Sequence, residues 1–442
     1  MLRRYVAAVA LAVVLAGPAA AETVLYRNAA LIDGTGAPPR SGMSVLVEGE
    51  RIKDVQPTDR LPAPTGARVV DLTDKYLLPG LIDSHEHLAT PPNRRQAEAS
   101  LRRDLYGGVT SIRDMADDLR SVAELTRASL RAEIPAPDIY YAALMAGPSF
   151  FADPRTIAVS YGYTPGKTPW MQSIDEATDL REAVTLARGT SATAIKIYAN
   201  LPADLVTKIS AEAHRQGLKV WAHTAVYPAT PAEVAAAKPD VMSHACSLGH
   251  QALGTPQTYQ SRTPMDPAPF LKSDNPEVAK VLATMKANGT MLDATTSLYA
   301  NIEAEAAKDP KARKPLCTGA MSDALVRQAW KAGIELSTGT DWVAPYDDPW
   351  PTLHHELAAL VKLGMPPAEV IRAATLNGAR AAGQADDIGS IQAGKRANLI
   401  VVAKDPTADI ANLKTLEFTV KRGREYRRAD FKPLTKDELE DR

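Results

Sequence analysis

Between Pro79 and about Ala382, short apolar runs alternate with helical segments rich in Ala, Glu, Lys and Leu. That alternation confines the chain to a fold of repeated βα units around a parallel sheet. The runs fall at 81–87, 109–115, 139–143, 194–198, 219–223, 241–244, 291–294 and 334–337, and eight of them predict a (β/α)8 barrel. A doubly wound open sheet is the other arrangement of such units, but no Gly-x-Gly-x-x-Gly turn follows the first run.

The two ends have a different texture. Residues 23–31, 43–48, 51–55 and 67–72 read as short strands punctuated by Gly34, Gly36, Pro38, Gly49, Pro62 and Gly66, and 397–403 and 416–421 return to that pattern before Gly423. Two β-rich ends around a long α/β middle predict a small composite β-sandwich built from both termini. The expected division is a signal peptide at 1–21, the first part of the sandwich at 22–78, the barrel at 79–383, and the rest of the sandwich with a tail at 384–442.

Arg3 and Arg4 precede an apolar stretch from Tyr5 to Ala16, then Gly17-Pro18-Ala19-Ala20-Ala21, which is the three-part form of a cleaved secretory signal. About 12 apolar residues are too few for a bilayer core that needs roughly 20. The mature chain is therefore expected in the periplasm, away from the membrane. The full sequence has 51 Lys and Arg against 52 Asp and Glu, or 49 against 52 once Arg3 and Arg4 leave with the signal, and this balance offers no field for nucleic acid or an anionic membrane. Oligomeric state is left open, since apolar patches in the long loops could support a homo-oligomer. Cys246 and Cys317 stand apart from any Cys-x-x-Cys pair, so one disulfide and two buried thiols are both open readings.

His85 and His87 stand two apart on the first run, so the pleat sends both imidazoles to one face, toward the barrel interior. Lys196 lies inside Ala194-Ile195-Lys196-Ile197-Tyr198, where an unpaired ammonium meets a severe desolvation cost. Either its side chain snorkels to water, or its amine, deprotonated by burial, has added carbon dioxide to become an anionic carbamate able to bridge two cations. His223 and His244 end the fifth and sixth runs, and Asp341 follows the eighth. All three would open onto the C-terminal rim, where barrel enzymes place their chemistry. Imidazole and oxygen donors in this mixture suit divalent ions, and zinc, manganese and cobalt would all accept them.

These stretches resemble the amidohydrolase superfamily, and within it the imidazolonepropionase-related branch that includes secreted Xaa-Pro and Xaa-Arg/Lys dipeptidases. The resemblance is carried by 77–87 with its His-Glu-His, Ile195-Lys196-Ile197, His223-Thr224, Ser243-His244-Ala245 and Thr338-Gly339-Thr340-Asp341. His354-His355-Glu356-Leu357, 374–379 and 388–399 add to it. It implies two metal ions, usually zinc, of which His85, His87 and Asp341 hold the more buried, His223 and His244 the more exposed, with carboxylated Lys196 bridging them. It also implies a metal-bridging hydroxide as nucleophile, His244 near the carbonyl oxygen, Asp341 as proton shuttle, and Asp83 behind the ligands.

The reaction expected is amide hydrolysis, in dipeptides or N-acyl amino acids. A cyclic amide or lactone hydrolase and a noncatalytic metal-binding protein are the competing readings. Imidazolonepropionase itself is disfavoured, because it is cytosolic and typically lacks the bridging lysine. Tyr227 and His250, in rim loops, are candidate substrate contacts. The neighbourhood of Tyr346 and Trp350 is a candidate pocket wall, and the segments 247–280 and 299–320 read as long loops.

Overall fold

A computed structural model describes residues 22–439 apart from 310 and 313, and the signal segment expected at 1–21 lies outside the described residues. Eight parallel strands form the barrel: Leu81–Glu86, Val109–Asp114, Asp138–Ala146, Ala194–Ile197, Lys219–His223, Val241–Ser243, Met291–Asp293 and Leu336–Ser337. Seven ladders join them in chain order. The ring closes where Ser84 N–H donates to the Thr338 carbonyl at 2.7 Å and Thr338 Oγ1 donates to the Ile82 carbonyl at 3.2 Å.

The strands read as unbroken apolar runs because helices cover the outer face while side chains fill the lumen, leaving neither face to water. Ala194–Ile197 and Val109–Asp114 are buried at every position. Several βα loops end on a helix cap legible in the sequence. Asn93, Asp118, Asp179 and Asn275 each accept a backbone N–H of the helix that follows, and Thr230 forms a capping box with Glu233. No helix of the described residues is long and apolar enough to cross a membrane.

The second sheet draws on both ends of the chain. Its order is Arg424–Arg427, Leu416–Lys421, Leu399–Val402, Tyr76–Pro79, Thr23–Leu31, Arg40–Glu48 and Arg51–Pro57, with Arg68–Asp71 also pairing to Thr23–Leu31. Tyr76–Pro79 knits the termini together, antiparallel to Leu399–Val402 and parallel to the end of Thr23–Leu31. Because Thr23–Leu31 changes partner halfway along, the sheet folds over itself. Two strands lie between Tyr26 and Phe418, yet their rings are 6.2 Å apart, around one apolar core.

The link from this sheet to the first barrel strand is Gly80 alone, where a Cβ would lie 2.2 Å from Thr110. No other residue lets the two bodies meet so closely.

The strands Tyr76–Pro79 and Arg424–Arg427 were not among the runs read from sequence. The segment 299–320 is not a loop: Thr296–Lys308 is a helix, followed by Gly319–Lys331. Its start carries no local cap, because the cap comes from a distant residue. Both oxygens of buried Glu356 accept the N–H groups of Thr296 and Ser297, at 2.9 and 2.7 Å. The segment 247–280 is a loop carrying only short helical turns before the helix Pro276–Asn288 begins.

Cys246 and Cys317 form a disulfide with a Cα–Cα distance of 6.3 Å. It closes a loop of 71 positions that starts two residues after His244. Cys317→Ser is expected to destabilise the fold by about 2–4 kcal/mol, chiefly by freeing the unfolded chain. Urea titration of wild type and variant tests this, and equal midpoints would show that the bridge contributes nothing.

Candidate metal centre

The first barrel strand delivers His85 and His87 to the C-terminal rim, and His87, Glu86 and Asp83 line a cavity of about 150 Å³ together with Arg103 and Asp104. His223 ends its strand, and His244 follows its own by one residue. His244 and Asp341 both adopt left-handed backbone, with φ of 73° and 56°, as do Thr295 at 47° and Tyr227 at 57°. Four non-glycine residues in this costly region, gathered on one rim, are typical of a functional site.

One ligand atom from each of His85, His244 and Asp341 falls within 4.8 Å of the others. His85 Nε2 is 3.6 Å and His87 Nε2 3.4 Å from Asp341 Oδ1, and His244 Nδ1 is 3.8 Å from Oδ2. His223 stands outside this trio and meets it through His244, with ring centroids 4.7 Å apart. Lys196 is fully buried, and its Nζ has no hydrogen-bond partner.

A supporting layer fixes how these groups point. Asp293 Oδ2 lies 2.8 Å from His85 Nδ1 and also receives Ser243 Oγ and Arg113 Nη2. Asp117 Oδ1 lies 2.6 Å from His87 Nδ1, and the same carboxylate receives Ala89 N–H and the Thr90 hydroxyl. With Nδ1 donating, Nε2 of the neutral His85 ring carries the lone pair that faces Asp341, and His87 would offer the same once a cation displaces its second proton. Asp83 accepts from His85 N–H, Thr340 N–H and the Thr340 hydroxyl, stitching the first strand to the loop that carries Asp341. A Cβ at Gly339 would sit 2.2 Å from Asp293 Oδ1 and 2.6 Å from His85 Cβ, so only glycine lets this layer close.

Burial holds His85, His223 and His244 well below the usual histidine range, and the charge of Lys196 pushes each further the same way. Neutral imidazoles are the form that binds a cation. His87, with 35% of its side chain open to solvent, is the opposite case. Burial alone would lower it, but the Asp117 carboxylate outweighs that and holds it above the usual range. Burial pushes Lys196 down to about 7, with Asp293 opposing and Arg113 reinforcing. An amine this readily neutral, with no partner for its three donors, fits a carbamate and the cations that would neutralise it.

Asp293, Asp117 and Arg113 were missed in the sequence. Arg113 and Asp293 each lie inside an apolar β run, the same signal that singled out Lys196. Asp293→Asn is expected to weaken metal binding about 10–100-fold by loosening the His85 ring. Competition with a chromophoric chelator measures this, and unchanged affinity would remove Asp293 from that role.

Tyr227 and His250 are brought together, both buried, with ring centroids 5.4 Å apart. Tyr227 also faces Tyr259 at 6.3 Å, whereas His250 turns its Nδ1 to the Gly254 carbonyl at 3.3 Å within its own loop. Trp350 does not line the site, since its ring packs against Arg428 at 4.1 Å and His354 at 5.3 Å and anchors the C-terminal segment. His354 donates to the Gly107 carbonyl, while His355 and His214 pair with Asp348 and Asp240.

A (β/α)8 barrel whose C-terminal rim gathers four imidazoles, a carboxylate and a buried lysine offers donors of the kind that bind a divalent cation. The sequence profile of the amidohydrolase family matches residues 76–425, and the chain belongs to that family.

Imidazolonepropionase of Flavobacterium johnsoniae is 43% identical over 76 residues, 17% of this chain and 18% of that protein. Allantoinase of Streptomyces avermitilis is 36% identical over 95 residues, 21% of this chain and 20% of that protein. The matched stretches thus span about a fifth of these relatives. Among solved structures, a Xaa-Pro dipeptidase with methionine bound in its active site superposes with a TM-score of 0.72 at 21% identity, covering 92% of this chain and 100% of that one. Ochratoxinase of A. niger gives 0.71 at 22%, covering 92% and 96%. At these identities the likeness shows the fold.

Proposed function

We propose that the chain is a binuclear metal-dependent amidohydrolase that cleaves the C–N bond of a dipeptide or an N-acyl amino acid. The observation that carries this reading is a fully buried, unpartnered Lys196 amine whose charge bears on His85, His223 and His244, three imidazoles that burial keeps neutral. His85, His87 and Asp341 would hold one ion, His223 and His244 the other, and Lys196, carboxylated by carbon dioxide, would bridge them. Two such cations, zinc first, would supply Lewis acidity enough to make a bound water nucleophilic at neutral pH.

The chain's own groups do the rest. Asp341 accepts the attacking water's proton and passes it to the leaving nitrogen, so the amine departs neutral. Asp293 and Asp117 hold His85 and His87 in the ligating tautomer. His244 is kept in place by its left-handed backbone and by Thr295 Oγ1, 3.1 Å from Nδ1, beside the carbonyl oxygen. Solved structures of the same fold, among them a Xaa-Pro dipeptidase, molinate hydrolase and phenylurea hydrolase B, support hydrolysis as the reaction type. Residues 1–21 would direct export to the periplasm, with an oxidising compartment suiting the disulfide.

The test is a screen of the mature chain, loaded with zinc in bicarbonate, against dipeptides varied at the C-terminal residue, N-acyl amino acids, and cyclic amides and lactones, beside a chelated control. Chelator-sensitive release of a C-terminal residue is the expected result. Turnover of rings alone would replace this reading with the cyclic one.

A further inference from the structure

The cavity of about 150 Å³ beside His87 holds acidic groups that the metal centre does not use. The helix Arg94–Tyr106 brings Gln96, Ser100 and Asp104 to it, spaced by four so that they share one helix face. The first barrel strand adds Asp83 and Glu86. Oxygen donors from two separate elements therefore meet in one space.

Two of these groups break the rule that buried polar atoms are paired. Asp104 is only 7% exposed, yet its carboxylate makes no hydrogen bond or ion pair among the described residues; only the charge of Arg103 bears on it. The carboxylate of half-buried Glu86 makes none either, and the charges of Asp104, Asp83 and Asp114 all bear on it. Asp83 differs, because its oxygens already receive His85 N–H, Thr340 N–H and the Thr340 hydroxyl. It adds charge but no free donor.

Nothing else lining the cavity supplies the missing partner. Arg103 turns its Nη1 to the carbonyls of Ala344 and Pro345, at 3.1 and 2.9 Å, and pairs with neither acid. His87 engages Nδ1 with Asp117 and turns Nε2 to Asp341. Burial accordingly pushes the Asp104 carboxyl up to about 7, with Arg103 opposing.

We propose that this cavity binds one calcium ion, with Asp104 and Glu86 as its charged ligands and the oxygens of Ser100 and Gln96 beside them. Calcium takes roughly six to eight oxygens of mixed charge in a flexible arrangement, and water completes what the side chains leave. Zinc seeks nitrogen or sulfur, and magnesium demands a tighter octahedron than donors spread over such a space provide. The ion ties the helix Arg94–Tyr106 to the strand that carries His85. This site is distinct from the metal centre at the rim and does not depend on the hydrolase reading.

The test is calorimetric titration of the mature chain, kept in zinc, with calcium chloride. One calcium per chain is expected, bound about tenfold or more weakly by Asp104→Asn and by Glu86→Gln, each of which removes one of two charged ligands. Calcium should also raise the melting temperature of wild type and leave that of Asp104→Asn unmoved. No binding by wild type, or equal binding by both variants, overturns the proposal.

Terbium, a luminescent substitute for calcium, locates the ion without altering either acid. Trp342 lines the same cavity, with Nε1 donating to Ser297 Oγ at 3.0 Å, so its indole is placed to pass excitation to an ion bound there. Tryptophan-excited terbium emission that calcium displaces is expected in wild type. Most of it should vanish in Trp342→Phe while the calcium isotherm is unchanged. Undiminished emission from that variant would put the ion elsewhere and overturn the proposal, and this measurement decides the matter should either acid variant fail to fold.

Discussion

Asp341→Asn is expected to lower kcat/KM about a thousandfold while the protein stays folded, the scale set by loss of a positioned proton carrier. The carboxylate is within reach of three imidazoles, 3.4 Å from His87 Nε2, 3.6 Å from His85 Nε2 and 3.8 Å from His244 Nδ1. Asparagine keeps that shape, but its amide takes no proton at working pH and is a poor anionic ligand. The fold is spared because the left-handed backbone here, φ 56°, is one asparagine tolerates, and the N–H bond to the His85 carbonyl at 2.8 Å does not involve the side chain. Steady-state rates with circular dichroism as the folding control settle this, and near-normal turnover would strike Asp341 from the mechanism.

Lys196→Met should separate function from stability more sharply. Turnover is expected to fall by two to four orders of magnitude, roughly the range that lost transition-state stabilisation and proton transfer span together. Metal content should fall from about two ions per chain to one or none. In chelator, however, the variant should unfold at higher denaturant than wild type, by roughly 1–3 kcal/mol, because a buried amine with no partner has been replaced by an apolar side chain of similar length. Metal analysis and guanidinium titration of the same preparation give both numbers. Full metal content in the variant would exclude the bridging role, and a loss of stability in chelator would mean that the lysine has a partner in the apo protein.

These outcomes bear on how far the chain can be read without its fold. The barrel strands were legible because parallel strands covered on both faces must be apolar throughout, and the run 219–223 coincides with the strand Lys219–His223. Lys196 stood out for the same reason, as a charge where charge is costly. The helix Thr296–Lys308 was lost because Glu356, some 60 positions away, supplies its cap. Tyr76–Pro79 was lost because its four residues acquire a strand's identity only from partners at the two chain ends.

The amino-acid sequence by itself determined the type of fold and singled out the candidate donors, since hydrophobic period and desolvation cost are local properties of residue type and spacing. Tertiary structure alone decided what surrounds those donors: that Asp293 and Asp117 set the imidazole tautomers, that Gly339 leaves room for them, that Trp350 faces away, and that Arg155 and Arg262 meet on one tyrosine. Arg155 and Arg262 are 107 positions apart, as the sequence numbering shows, and Asp293 is 208 from His85. Contacts of that span depend on where the closed ring of strands places each loop, and no pattern of neighbouring residues encodes them.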